Sequence, residues 1–183
     1  VDGAAVTDLA RTAVDVAVAA TFAQALAVFD AALARGVDRE ALAEVLDRRR
    51  RTGKGRTRRA LAFADPLSAN PGESWGRAQL IEAGLPVPRL QVRYVLPDGR
   101  EAFVDYDWEG SLVGEFDGFA KYTRGRRPGE SEGDVVAREK VREDGLRALD
   151  LAVVRGIWRD YERHLWVPRV TDRLCAVGLY RAG

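Results

Sequence analysis

Apolar residues recur along the chain with two different spacings, one typical of helices and one typical of strands. Over residues 1–64 they return every three or four positions, as on the buried face of an amphipathic helix. Thr21 and Gln24 have the spacing of a capping box, and Gly36 is typical of a helix end. The pattern predicts four helices, over residues 8–18, 22–34, 38–46 and 57–64.

A stretch with two prolines and several turn formers, residues 65–72, predicts a boundary in the chain. It would separate a helical region over 1–64 from a larger region over 73–183. The end of the stretch also favours a helix start, with Asn70 as the cap, Pro71 first and Glu73 third. This helix is expected to run to about residue 83.

The strand-like spacing begins after this helix and predicts a three-stranded meander over residues 90–96, 102–108 and 111–117. Asp134 is expected to cap a long helix that reaches residue 149. A nearly continuous apolar run follows at 151–157, as in a strand buried on both faces. The remaining tail favours helices. Because a helix between the third and fourth strands permits a crossover, the sequence predicts an α/β fold with a mixed sheet.

Acidic residues occupy strand positions where apolar side chains would be expected. Side chains alternate between the two faces of a strand. Strict alternation therefore places Asp105 and Asp107 on one face of the second strand, and Val104 and Tyr106 on the other. A tight turn between the second and third strands then places Asp105 directly across from Glu115.

Two carboxylates in direct opposition repel each other and destabilise a sheet. The sequence therefore predicts that this face is either exposed or used to bind a cation. Mg²⁺ is the usual cation, since it takes hard oxygen ligands from carboxylates, water and phosphate. Asp117 is expected on the same face as Glu115. On this reasoning, replacing Glu115 by alanine should leave the metal-free protein at least as stable.

The composition is that of ordinary globular material, with 46% apolar and 31% charged residues in a chain of 183. This length suits one domain, or one domain with a helical extension. No uncharged run reaches the ~20 residues of a membrane span, so no membrane partner is expected. The single cysteine, Cys175, excludes an intrachain disulfide and predicts a reducing, cytoplasmic location. As a small side chain it is expected to pack in the core.

The net charge of +1 conceals a strongly basic segment, because eight of the twelve residues from 48 to 59 are Lys or Arg. The segment is either a solvated helix end or a surface that follows nucleic-acid phosphates. The residues of this predicted nucleic-acid surface are Arg48, Arg49, Arg50, Arg51, Lys54, Arg56, Arg58 and Arg59, with Lys140 and Arg142 further along the chain.

The acids and their neighbours resemble the motifs of the PD-(D/E)XK nucleases, and of the branch related to very-short-patch repair endonucleases. The resemblance covers about residues 70–160. It is carried by the residues Glu73, Gln91, Asp105, Glu115, Asp117, Glu139, Arg142 and Arg155. More loosely, the whole chain is similar to the carboxy-terminal part of actinobacterial AbiEi-type antitoxin-like proteins. These often carry an amino-terminal winged-helix domain, which the resemblance implies before Val1.

The resemblance implies a restriction-endonuclease-like mixed sheet flanked by helices. It implies that Asp105 and Glu115 bind Mg²⁺, or Mn²⁺ in its place, with Asp117 and Glu73 as further or water-mediated ligands. In this family a lysine follows two residues after the glutamate, but here Asp117 stands at that position. In the related branch a histidine often lies just after the Asp-Gly pair, and the resemblance implies Lys121 as the corresponding catalytic residue. Lys140 on the following helix could also reach inward.

Some of these residues also have a structural explanation. Glu73 completes a helix cap, Asp117 precedes a glycine as turn formers do, and Arg142 has acidic neighbours on its own helix. The motif residues are therefore compatible with two functions. The first is a metal-dependent DNA endonuclease, and the second is a catalytically degenerate module that binds nucleic acid or acts as an antitoxin-like regulator. The complete set of acids favours the first, and the displaced lysine favours the second.

Overall fold

The computed structural model describes residues 6–49, 54–118 and 131–181. The chain divides into two compact units, one ending at Ala78 and the other beginning at Gln79. The predicted linker at 65–72 therefore belongs to the first unit, and the division falls inside a helix. Among the described residues, no helix combines the length and apolar character needed to cross a bilayer.

The first unit is helical, as its sequence predicts. Asp8 caps the first helix by accepting a hydrogen bond from the Arg11 amide, and Thr21 and Gln24 form the predicted capping box of the second. Asp38 precedes the third helix without a side-chain cap bond. The helices are α1 (Leu9–Ala19), α2 (Phe22–Leu33), α3 (Arg39–Asp47), α4 (Lys54–Phe63) and α5 (Pro71–Glu82), whose last residues belong to the second unit.

A buried ion pair lies inside the first unit, between Asp30 on α2 and Arg77 on α5. The guanidinium Nη2 lies 2.8 Å from both carboxylate oxygens. Ser74 and the backbone amide of Asp65 also donate to this carboxylate, at 2.7 and 2.8 Å. Burial raises the pKa of Asp30, against the opposing effect of Arg77. The pair holds α2, the 65–72 segment and α5 together.

The second unit contains a four-stranded mixed sheet with the order β1-β2-β3-β4. The first three strands are antiparallel neighbours, and β4 pairs parallel to β3, so the predicted meander and crossover are confirmed. The strands are β1 (Arg89–Val95), β2 (Glu101–Trp108), β3 (Leu112–Asp117) and β4 (Ala152–Ile157), and the helices that follow β3 are α6 (Glu132–Arg147), α7 (Trp158–Glu162) and α8 (Trp166–Ala176).

Helices cover both faces of this sheet. On one face, Leu146 of α6 packs in a cluster with Val104 and Val113. On the other, rings from α7 and α8 contact the strands, and Trp166 lies 5.9 Å from Tyr106 between ring centroids. Gly156 of β4 lies under these rings, where a Cβ atom would come within 2.8 Å of Trp166. The second face thus needs a glycine where the rings approach the backbone.

Three local predictions for this unit are wrong. Ser131 caps α6, while Asp134 is its third residue and returns the bond in a capping box. β4 lies at an edge of the sheet and is only partly buried, although its apolar run suggested burial on both faces. Cys175 is exposed rather than packed in the core.

Candidate functional site

The contacts of β2 with β3 place Asp105 beside the residue that follows Glu115. The regular register pairs Asp107 with Val113 and Tyr106 with Gly114, and the Asp105 carboxylate accepts from the backbone amide of Phe116. The regular pairing ends at Tyr106, so the direct opposition of Asp105 and Glu115 stays a prediction.

The alternation of side chains along β2 differs from the prediction at this same position. Val104 packs with Val113 on the α6 face, whereas Tyr106 faces the rings of the opposite side. Tyr94, which pairs with Ala102, packs against the α6-face cluster and donates a hydrogen bond to Asp107. Val104, at an even position, and Asp107, at an odd position, thus lie on the same face of the sheet, because the alternation of β2 shifts by one residue at Asp105.

The neighbouring strand β1 is irregular at the matching position. Gln91 lies between two regular pairs, Leu90 with Tyr106 and Val92 with Val104, and has a positive φ of 50°. A residue with a Cβ atom rarely adopts this left-handed conformation inside a strand. Both strands therefore leave the regular geometry at the Gln91–Asp105 position.

Two groups orient the Asp105 carboxylate at this irregular position. The backbone amide of Phe116 on β3 donates to one oxygen at 2.7 Å, and Nε2 of Gln91 donates to the other at 3.3 Å. The carboxylate is therefore held between β1 and β3.

Glu115 is buried on the α6 face and forms an ion pair with Arg142. The two guanidinium nitrogens Nη1 and Nη2 donate to the two carboxylate oxygens at 2.7 and 2.6 Å. Arg142 also donates to the carbonyl oxygen of Phe103. Burial by itself lowers the pKa of Arg142, but the bonds to Glu115 and the charges of Glu139 and Asp105 outweigh burial and raise that pKa. Three acids thus surround one guanidinium.

Asp117 has its own arginine on the neighbouring strand. Arg155 of β4 lies 3.6 Å from the Asp117 carboxylate and 2.9 Å from that of Glu143 on α6. Arg155 is also the register partner of Glu115. The acids on this side of β3 are therefore interleaved with arginines from two different elements.

The donor chemistry of this acid–arginine cluster fits Mg²⁺, which binds through one or two carboxylates together with water. The arrangement is less favourable, because the Arg142 guanidinium engages both oxygens of Glu115. Within the described ranges, no group of three or more Asp, Glu, His or Cys residues could hold a metal ion. A two-carboxylate metal site formed by Asp105 and Glu115 therefore stays a prediction.

Three further residues were predicted for the site, Glu73, Lys140 and Lys121. Glu73 belongs to the first unit, where its carboxylate accepts from the Ala69 amide at 2.8 Å and from Nδ2 of Asn70 at 2.5 Å. Its position is that of a helix-capping residue. Lys140 is an exposed residue of α6, and Lys121 lies outside the described residues.

The basic segment makes contacts within the first unit. Arg48 pairs with Glu44 at 3.3 Å, Arg49 pairs with Asp15, and Arg58 pairs with Asp47 at 2.7 Å. Backbone oxygens accept from two further basic residues of α4, Lys54 at 2.9 Å and Arg56 at 3.3 Å. Arg59 lies over the ring of Phe22 at 4.9 Å. Arg50 and Arg51 lie outside the described residues, so the predicted phosphate surface remains a prediction.

Sequence reasoning missed the role of Asp107. Its buried carboxylate accepts from Nε of Arg89 at 2.9 Å, from the Tyr94 hydroxyl and from the Gly110 amide at 3.3 Å. Burial, reinforced by the bond to this carboxylate, raises the pKa of Tyr94 to about 12. Strict alternation placed Asp107 beside Asp105, so nothing in the pattern separated a structural acid from a candidate ligand.

Comparisons of the chain with protein-family models, curated proteins and solved structures gave no match.

Proposed function

We propose that the second unit is a metal-dependent endonuclease of the PD-(D/E)XK type that acts on DNA. The observation that supports this most strongly is that Asp105 binds the backbone amide next to Glu115, and that the charges of both acids act on Arg142. Neighbouring carboxylates in a sheet repel each other unless a cation lies with them. In the present arrangement that cation is the Arg142 guanidinium, with both oxygens of Glu115 bound to it.

The proposed roles follow from these contacts. Asp105 and Glu115 would hold Mg²⁺, which when bound lowers the pKa of a coordinated water and stabilises charge on the scissile phosphate. Phe116 and Gln91 orient the Asp105 carboxylate through their hydrogen bonds. Arg142 would contribute positive charge close to the substrate phosphate. The basic segment at 48–59 would follow the DNA backbone, with Lys121 in the role of the family's lysine.

A second function is favoured by a specific feature of the cluster, the two-bond pairing of Glu115 with Arg142. If this pair persists with DNA present, the fold is a nucleic-acid-binding or antitoxin-like regulatory module without catalysis. The aspartate at position 117, where the family has lysine, supports the same alternative.

Calorimetric titration with Mn²⁺ and Mg²⁺ separates the two functions. The titrations compare the wild-type protein with Glu115→Gln, which keeps the side-chain shape and removes the charge. Glu109→Gln is the matched control, because Glu109 lies in the exposed turn between the same two strands. The endonuclease proposal expects saturable binding that Glu115→Gln loses and Glu109→Gln keeps.

Absence of binding at millimolar metal in the wild-type protein would reject the endonuclease and leave the regulatory module. If metal binds as expected, supercoiled plasmid and single-stranded DNA are then incubated with Mn²⁺ and each variant. Cleavage by the wild-type protein and by the control, but not by Glu115→Gln, would establish the activity.

A further inference from the structure

Four non-glycine residues in the described part of the chain have a positive φ, and one of them differs from the others by its place in the fold. Glu109, Asp150 and His164 lie in turns between elements, where a left-handed residue ends a strand or a helix. Gln91, with φ of 50°, lies inside strand β1. Glutamine has no preference for this conformation, so the surrounding structure must hold it there.

The position of Gln91 coincides with the phase change in β2. Leu90 pairs with Tyr106 before it, and Val92 pairs with Val104 after it. Since Tyr106 and Val104 lie on opposite faces, β1 must change phase at the same step as β2 to remain paired with it. The left-handed residue allows this matching change in β1.

The phase change also determines where the Asp105 carboxylate lies. Asp105 occupies the step between the two faces, and one oxygen accepts from the Phe116 amide of β3 at 2.7 Å. The Gln91 carboxamide donates to the other oxygen at 3.3 Å. The strained residue of β1 and the candidate ligand of β2 are thus in direct contact.

We propose that Gln91 is a positioning residue, whose left-handed backbone and carboxamide together direct the Asp105 carboxylate toward the Phe116 amide of β3, next to Glu115 in sequence. The metal-binding part of this inference rests on the proposed function. Backbone strain of this kind is retained where a site requires it, and a hydrogen-bonding partner of a metal ligand commonly changes metal affinity by about 10–100-fold. Gln91 would therefore reduce the stability of the strand while increasing the affinity of the site.

The test uses Gln91→Gly, which relieves the left-handed strain and removes the carboxamide. Gln91→Asn keeps a carboxamide on a residue that tolerates positive φ, and remains informative if the glycine variant folds poorly. Asp150→Gly is the matched control, since it relieves the same kind of backbone strain, at a φ of 60°, in a turn of the same unit. Two readouts are taken, hydrogen exchange of the Phe116 amide by NMR and Mn²⁺ affinity by calorimetry.

We expect Gln91→Gly to melt at the same temperature as the wild-type protein or higher. Its Phe116 amide should exchange about tenfold faster, and its Mn²⁺ affinity should fall about tenfold. Gln91→Asn should give intermediate values, and Asp150→Gly should change neither readout.

The two readouts separate failure of this inference from failure of the proposed function. Unchanged Phe116 exchange in both Gln91 variants would overturn the positioning role. Faster exchange in a protein that binds no Mn²⁺ even as wild type would confirm the positioning role and reject the metal site. Faster exchange with unchanged Mn²⁺ affinity would show that the position of Asp105 does not govern binding, which overturns the metal-binding part of the inference.

Discussion

Replacing Glu115 by alanine should destabilise the second unit, contrary to what the opposed acids alone suggest. The carboxylate is 3% exposed and the Arg142 side chain 21% exposed, and two hydrogen bonds of 2.6 and 2.7 Å join them. Removing one partner of a buried pair costs about 3–5 kcal/mol, because the other charge is left without compensation. Relief of repulsion with Asp105 returns only about 0.2–1 kcal/mol.

The lower end of the first range applies here, because Arg142 reaches solvent and keeps its contacts with Phe103 and Glu139. The net loss for Glu115→Ala is therefore about 2–3 kcal/mol. Urea unfolding followed by tryptophan fluorescence and by circular dichroism measures it, and agreement between the two probes tests whether one transition is being followed.

The double variant Glu115→Ala with Arg142→Ala completes a mutant cycle. It should be more stable than the sum of the two single losses indicates, because the second substitution removes the unpaired charge that the first creates. A Glu115→Ala variant as stable as the wild-type protein would refute this reasoning and restore the view that repulsion dominates.

Four further outcomes are expected. Asp30→Asn should lower the free energy of unfolding by about 3 kcal/mol in urea, because Arg77 is left buried without its counter-charge. The wild-type protein should lose stability relative to Tyr94→Phe as the pH rises from about 10 to about 12. Over that range the unfolded chain releases the Tyr94 proton while the folded protein retains it, which favours unfolding of the wild type alone. Gly156→Ala should cost about 1–3 kcal/mol by overpacking, measured by thermal melting. DNA affinity should fall steeply with added salt if the 48–59 segment contacts phosphates, and a salt-independent affinity would contradict that role.

Local signals in the sequence predicted most of the elements, because caps and turns depend on residues a few positions apart. The capping box at Thr21 and the cap at Asn70 both formed as expected. The tight turn after Trp108 set the register of β2 with β3, which pairs Asp107 with Val113. Interactions within one element or across one turn were therefore accessible from the sequence.

The site itself depended on partners that are distant along the chain. Arg142 and Arg155 neutralise acids of β3 from α6 and β4, and no spacing rule connects them with those acids. The phase change at Asp105 was hidden for a different reason. A period-two pattern assumes a regular strand. Glutamine does not favour the left-handed conformation that Gln91 adopts, so its identity gave no sign of the irregularity.

The parallel pairing of β4 with β3 has a consequence for the order of folding. Short turns connect β1 to β3, whereas β4 reaches β3 only after α6 crosses the sheet. Closing a longer segment costs more chain entropy, so contacts between near neighbours in sequence are favoured to form first. Asp105 and Glu115 would then meet before Arg142 and Arg155 arrive, and in that interval their repulsion would slow the closing of the hairpin. Refolding of the second unit should accordingly be faster in mild acid or with divalent ions, whichever function the finished site serves.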